Sequence, residues 1–290
     1  MSLVRRVISV TFRLQSGNFA GTGSNTLTVT GLKTWFTMSQ VGGVSRDAVH
    51  LVVFGLTQSQ MNQLSTYGMP PDQNFNNEVT VQAGDAVSGM ATVFQGTITS
   101  ADANYGPPEA SLVVRAYLGQ YISVAPAAPL SYRGTADAAT IMGNIAQKMG
   151  LTLENSGVNV KLSNPYFSGS LFDQAKSCAR AGNFYAVLDG KNNVLAIWPK
   201  GQNRNGSVLT ISPQSGLVGY PEFTLKGVVF TAVWNPNIIF GRAVKLISSL
   251  QAATGMWVPM QIDTNLQSET PDGAWFMQIT AYSTEVLPSQ

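Results

Sequence analysis

Apolar and polar residues alternate through much of residues 1–125. In "ISVTFRL", Ile8, Val10, Phe12 and Leu14 recur at every second position, the signature of a half-buried strand. "NTLTVTGL" at 25–32 repeats the pattern, and "AVHLVVFGL" at 48–56 is so continuously apolar that it predicts a strand covered on both faces. "TQSQMNQLSTYG" at 57–68 breaks the alternation and predicts a helix of about ten residues, with Thr57 as its cap, Met61 and Leu64 inward, and Gly68 at its stop. "NEVTVQA", "GMATVFQGTITSA" and "ASLVVRAYLGQY" return to strand character, separated by the turn signals "AGD" and "NYGPPE". About six short strands of this kind predict an N-terminal β-barrel-like domain over 1–125.

"SVAPAAPL" at 123–130 reads as a linker, and an α+β module over 126–200 follows it. "GTADAATIMGNIAQKMGL" carries an apolar stripe at Ile141, Ile145 and Met149, with Thr135 as expected N-cap and Gly150 as stop. Gly143 weakens that helix by about 1 kcal/mol relative to Ala, which close packing at that point would explain. "LTLEN" and "VNVKL" flank an "SG" turn and read as a strand pair. Ser170 and Asp173 form a capping box ahead of a helix with Leu171, Ala175, Cys178 and Ala179 on one face and Gly182 at its end. "FYAVLD" and "VLAIWP" around "GKNN" predict a hairpin. Residues 201–290 are β again, with runs such as "GSVLTIS", "PEFTLKGVVFTAVW" and "GMWVPMQID", and predict a C-terminal β-barrel-like domain. The fold class expected is therefore mainly β with an α+β insertion: two β-barrel-like domains flanking a small helical α+β module.

Charge changes the picture. Only 11% of the 290 residues are Asp, Glu, Lys or Arg, where about 25% is usual, and the net charge is +2. Polar surface must come from Ser, Thr, Asn and Gln, which are less costly to bury against a neighbour than charges. Such a surface suits a subunit enclosed by other subunits. Seventeen basic residues against fifteen acidic ones, with no basic cluster beyond "VRR", argue against a nucleic-acid interface. No apolar run approaches the ~20 residues of a membrane span, and no signal-peptide pattern precedes "ISVTFRL"; the expectation is a soluble chain made in a reducing cytoplasm, without membrane anchoring.

Candidate chemistry is sparse. Cys178, the only cysteine, lies two turns into its helix on the apolar face, far from the helix end that would lower its pKa; it reads as packing, not as a nucleophile. His50, the only histidine, reads as a structural residue at one end of a strand, and one histidine with one cysteine excludes most zinc sites. The fifteen carboxylates fall mostly in turns and caps, and "DTNLQSETPDG" at 263–273 lacks the ligand spacing of a calcium loop. No phosphate-binding, dinucleotide-binding, serine-hydrolase or metalloprotease motif occurs. No catalytic, cofactor-binding or metal residue is assigned, no cofactor is expected, and the chain is read as a non-enzyme. Two alternatives stand beside that reading. One is a peptidoglycan hydrolase using two of the acids. The other is a carbohydrate-binding β module using Trp35, Trp198, Trp234, Trp257 or Trp275 as platforms, although all five lie in or beside apolar strand runs.

An ordered set of segments adds a resemblance. "TADAATIMGNIAQKMGLTLENSGV", "LSNPYFSGSLFDQAKSCARAGNFYAVLDGKNNVLAIWPKG", "ISPQSGLVGYPEF", "NPNIIFGRAVKLISS" and "TGMWVPMQIDTNLQSETPDGAWFMQITAY" together resemble the baseplate hub protein of contractile-tailed bacteriophages, most densely over 131–285. The resemblance implies a structural virion protein in the tail baseplate. Two barrel-like domains per subunit, in a homotrimeric ring, would adapt a threefold tail spike to the sixfold tail tube. It implies contacts with the tail tube protein, the central spike protein and baseplate wedge proteins, and DNA or tape measure passing only transiently through the lumen. Some hubs carry a cell-wall lysozyme; this sequence has no additional segment of that kind, so that activity is not expected here.

Overall fold

The computed structural model describes residues 5–42, 47–66, 77–85, 87–119, 127–225 and 227–283. They group into two compact units. One is drawn from Met1–Ser39, Asp47–Tyr121 and Thr264–Phe276, the other from Gln40–Arg46, Ile122–Asp263 and Met277–Gln290.

The first unit is an antiparallel sheet. Its elements are β1 (Arg6–Arg13), β2 (Thr26–Thr30), β3 (Thr34–Val41), β4 (Ala48–Phe54), α1 (Gln58–Leu64), β5 (Glu78–Asp85), β6 (Gly89–Asn104) and β7 (Ser111–Tyr117). The strand order is β2-β1-β5-β6-β7-β4-β3. Alternation works as the sequence implies: Val10 stands opposite Val81 and Phe12 opposite Val79, and all four are buried. The β4 expectation holds only for its second half. Leu51, Val52 and Val53 are buried, whereas Ala48 and His50 alternate outward with buried Val49 between them. Helix α1 has the expected cap. Thr57 accepts from the Gln60 N–H, while the Gln60 side chain accepts from the Thr57 N–H. The helix is shorter than expected because the chain is diverted at Thr66, whose N–H donates to the Ala101 carbonyl 2.8 Å away. Gly68 lies outside the described residues.

The second unit contains the α+β module and the C-terminal β region. The module comprises β8 (Leu130–Ser131), β9 (Thr135–Asp137), α2 (Ala138–Lys148), β10 (Thr152–Asn155), β11 (Lys161–Ser163), β12 (Tyr166–Phe167), α3 (Leu171–Ala181), β13 (Phe184–Asp189) and β14 (Val194–Pro199). Three points differ from expectation. Asp137, not Thr135, caps α2: its Oδ2 accepts from the Thr140 N–H at 2.8 Å, and Thr135 lies in β9. The expected strand pair does not form. β10 pairs in parallel with β14, and β11 pairs with β9, because the Asn155 side chain gathers the Gly157 and Val158 N–H groups into a turn of its own. Gly143 is not closely packed, since a Cβ there would meet nothing nearer than Leu153 at 3.7 Å. Residues 123–126 of the expected linker lie outside the described residues. The capping box at Ser170 and Asp173 and the hairpin β13–β14 form as expected.

β15 (Arg204–Ile211), β16 (Leu217–Thr224), β17 (Gly227–Val233), β18 (Arg242–Leu246), β19 (Gly255–Ser268) and β20 (Trp275–Ser283) follow. Within this unit the order is β15-β18-β19-β20-β17-β16, with β15 parallel to β18. The single run "PEFTLKGVVFTAVW" divides into the hairpin β16–β17, with Thr224 opposite Gly227. β14 is covered on both faces. Ala196 and Trp198 join Phe230, Ile238, Phe240 and Ile279 in one buried cluster, while Leu195 and Ile197 point to the other face by alternation.

Neither β region closes into a barrel among the described residues, which corrects the barrel-like expectation. In the first unit β2 pairs with β1 alone. In the second, β15 and β16 are adjacent in sequence but each pairs on one side only. β15 leaves its register between Arg204 and Leu209, and β16 between Val218 and Glu222, so neither offers an unbroken edge to the other.

Candidate functional site

Cys178 and His50 take places set by packing and strand pairing, and Asp72 and Glu285 among the carboxylates lie outside the described residues. Cys178 is fully buried on α3, and burial together with the Asp137 charge pushes its thiol up to about 12, opposite to what a nucleophile needs. His50 is exposed on the outer face of β4, opposite Thr37 and Arg115, and not inside a strand covered on both faces. No group of three or more His, Cys, Asp or Glu able to hold a metal occurs among the described residues.

The carboxylates are mostly engaged locally. Asp137 and Asp173 cap helices, and Asp85 accepts from the Val87 and Ser88 N–H groups at a hairpin tip. Glu109 pairs with Lys33 at 2.7 Å and Glu269 with Arg5 at 2.6 Å. Trp198 is wholly buried, Trp275 nearly so, and Trp234 and Trp257 pack against the core. Trp35 alone is substantially exposed, at 38%. Its ring meets Phe54 edge-on, the Lys33 ammonium stands 5.6 Å from its centroid, and its Nε1–H donates to Thr270.

One charged constellation is assembled, and sequence reasoning did not find it. Arg204, at the start of β15, is buried. Its Nε and Nη2 donate to both oxygens of Glu154 on β10, each at 2.9 Å. Nη2 also donates to Asp189 at the end of β13 at 3.1 Å, and Nη1 to the Phe240 carbonyl. Arg242 adds a weaker contact to Glu154 at 3.3 Å. Around them the Asn205 N–H donates to Ser156, and Lys191, its pKa lowered by burial, donates to the Pro236 carbonyl. Two carboxylates on the module are thus satisfied by arginines from the β region. A forked guanidinium matches a carboxylate in this way, and a buried charge needs that satisfaction. Only "QNRNGS", one Arg in a polar turn, marks the position in sequence, and no period flags it.

The cluster is chemically quiet. A hydrolytic acid pair needs one carboxyl whose pKa is raised so that it can donate a proton. Here the Arg204 hydrogen bonds hold Glu154 below the ordinary range. The arrangement can lock two elements together, and Glu154 is held in the form that does not donate a proton.

The opposite surface property appears on β16. Val218, Tyr220 and Phe223 are exposed, Leu225 at the hairpin tip is fully so, and Glu222 is the strand's one charge.

A family model described as baseplate hub gp41 matches residues 7–280. The chain belongs to that family. As a baseplate hub it is a structural protein of the phage tail, located in the virion. Solved structures share its fold at low identity. A tail protein from Neisseria meningitidis MC58 aligns at a TM-score of 0.62 and 9% identity, covering 97% of this chain and 98% of that one. The 43 kDa tail protein of prophage MuSo2 from Shewanella oneidensis aligns at 0.60 and 8%, covering 96% and 99%. The E. coli c3393 protein, a type VI secretion component described as structurally similar to the T4 tail proteins gp27 and gp5, aligns at 0.57 and 12%, covering 88% and 77%. No curated protein matches the hub in sequence.

Proposed function

We propose that this baseplate hub is a homotrimeric symmetry adaptor, joining a threefold central spike to the sixfold tail tube and performing no catalysis. The family match over residues 7–280 carries the reading. The charge-poor composition, the quiet Arg204 cluster and the exposed, charge-poor strand β16 support it. In this reading each copy presents two different patches, so that the contact is heterologous and closes on itself after three subunits. The plan assigns 1–125 and 201–290 as β modules standing in for one another around the ring, with 126–200 between them. Partners are the tail tube protein, the central spike protein and baseplate wedge proteins. The spike assignment is supported by the likeness to a protein described as similar to gp27 and gp5. DNA or tape measure passes through the lumen only transiently, and a near-neutral wall would not retain phosphates.

Negative-stain electron microscopy of the purified protein tests this. Rings with threefold symmetry are expected, and particles with no internal symmetry would contradict it. The hydrolase alternative predicts clearing of a peptidoglycan suspension; the adaptor predicts unchanged turbidity.

A further inference from the structure

We infer that the outer strand β16 and its hairpin tip form the surface by which one hub subunit packs head-to-tail on the next copy; this rests on the trimeric reading. Within residues 218–225, Tyr220 is 76% exposed, Phe223 54% and Leu225 106%, with Val218 beside them. Together these side chains present on the order of 500 Å² of apolar surface, at the upper end for a single patch on a monomer. A stable interface buries about 800 Å² per partner, so the strand supplies most of the apolar centre of one side. Glu222 is the one charge within 218–225, with Lys226 next in the sequence, and it has no ion pair among the described residues. A surface so poor in charge is in keeping with the 11% charged residues of the whole chain, which leave few charges to desolvate when copies pack together.

The strand does not favour a twofold contact by backbone pairing. Edge-to-edge pairing of two β16 strands needs an unbroken row of backbone donors and acceptors. Pro221 has no N–H, and the register shifts between Val218 and Glu222. Contact with the next copy is therefore made by the side chains, and in the proposed ring of three it is heterologous.

The test compares the wild-type protein with the Tyr220→Asp/Phe223→Asp double variant by sedimentation equilibrium, with thermal melting as a check on folding. Both positions are exposed, so a cooperative melting transition should persist, at a lower temperature to the extent that association is lost. Self-association should weaken by about tenfold or more, as for aromatic residues central to an interface. An oligomeric wild type whose double variant associates equally well overturns this surface and leaves the trimeric reading intact; the strand would then belong to a different protein. A wild type that never associates overturns both. A Tyr220→Cys variant separates the geometries, because the native Cys178 is buried and does not compete. In a head-to-tail contact the introduced thiols of two copies stay apart, so no covalent dimer is expected under mild oxidation. Efficient formation of a disulfide-linked dimer would overturn the head-to-tail contact.

Discussion

Arg204 shows what one residue must satisfy. Its guanidinium is wholly buried and serves Glu154, Asp189 and the Phe240 carbonyl at once. Arg204→Met would remove the guanidinium from Asp189 and leave Glu154 with the weaker Arg242 contact, and should cost about 3 kcal/mol in chemical denaturation. The pH dependence has a definite sign. Arg204 lowers the folded pKa of Glu154 below its ordinary 4.5, so the stability it contributes is present above 4.5 and lost as pH falls through the folded value. Melting temperatures measured from neutral pH downward should fall below pH 4.5, and Glu154→Gln should flatten that decline while lowering stability at neutral pH. Two glycines give opposite outcomes. Gly143→Ala, in an α2 position with room for a Cβ, should stabilise the protein by about 0.5–1 kcal/mol. Gly241→Ala should destabilise it, because φ is +78° and the new Cβ would stand 2.8 Å from the Trp198 ring and 3.0 Å from Arg204 Cδ. Denaturant midpoints distinguish the two.

Elements were legible where a local rule governs them. The capping boxes at Thr57 and Ser170, the inward faces of β1 and α3, and the hairpin at "GKNN" follow from residue type and spacing alone. Ser170→Ala should accordingly cost about 1 kcal/mol, seen as a lowered melting temperature. What escaped depends on partners distant in sequence. β10 and β11 look like a local pair but join β14 and β9. The barrels were expected from strand count, yet closure depends on continuous edges, which the register shifts in β15 and β16 interrupt. Arg204 and Glu154 stand 50 positions apart, and the pattern of a single strand carries no trace of their pairing. Gly227 tests the same level. A Cβ there would fall 2.1 Å from the Ala281 carbonyl oxygen, so Gly227→Val should loosen β17 against β20 and raise amide exchange along both strands.

For the whole molecule, low charge becomes meaningful when set beside where the apolar residues lie. The two units bury substantial cores, and the acids are mostly engaged in caps, turns and ion pairs, yet β16 leaves aromatic and aliphatic side chains in water. In the proposed ring that strand is covered by a neighbouring copy. Whether copies of the hub hold one another is read from its mass in solution. Light scattering across a range of protein concentrations should give three times the 30.9 kDa of the single chain. A particle of 30.9 kDa persisting at the highest concentration would contradict the account.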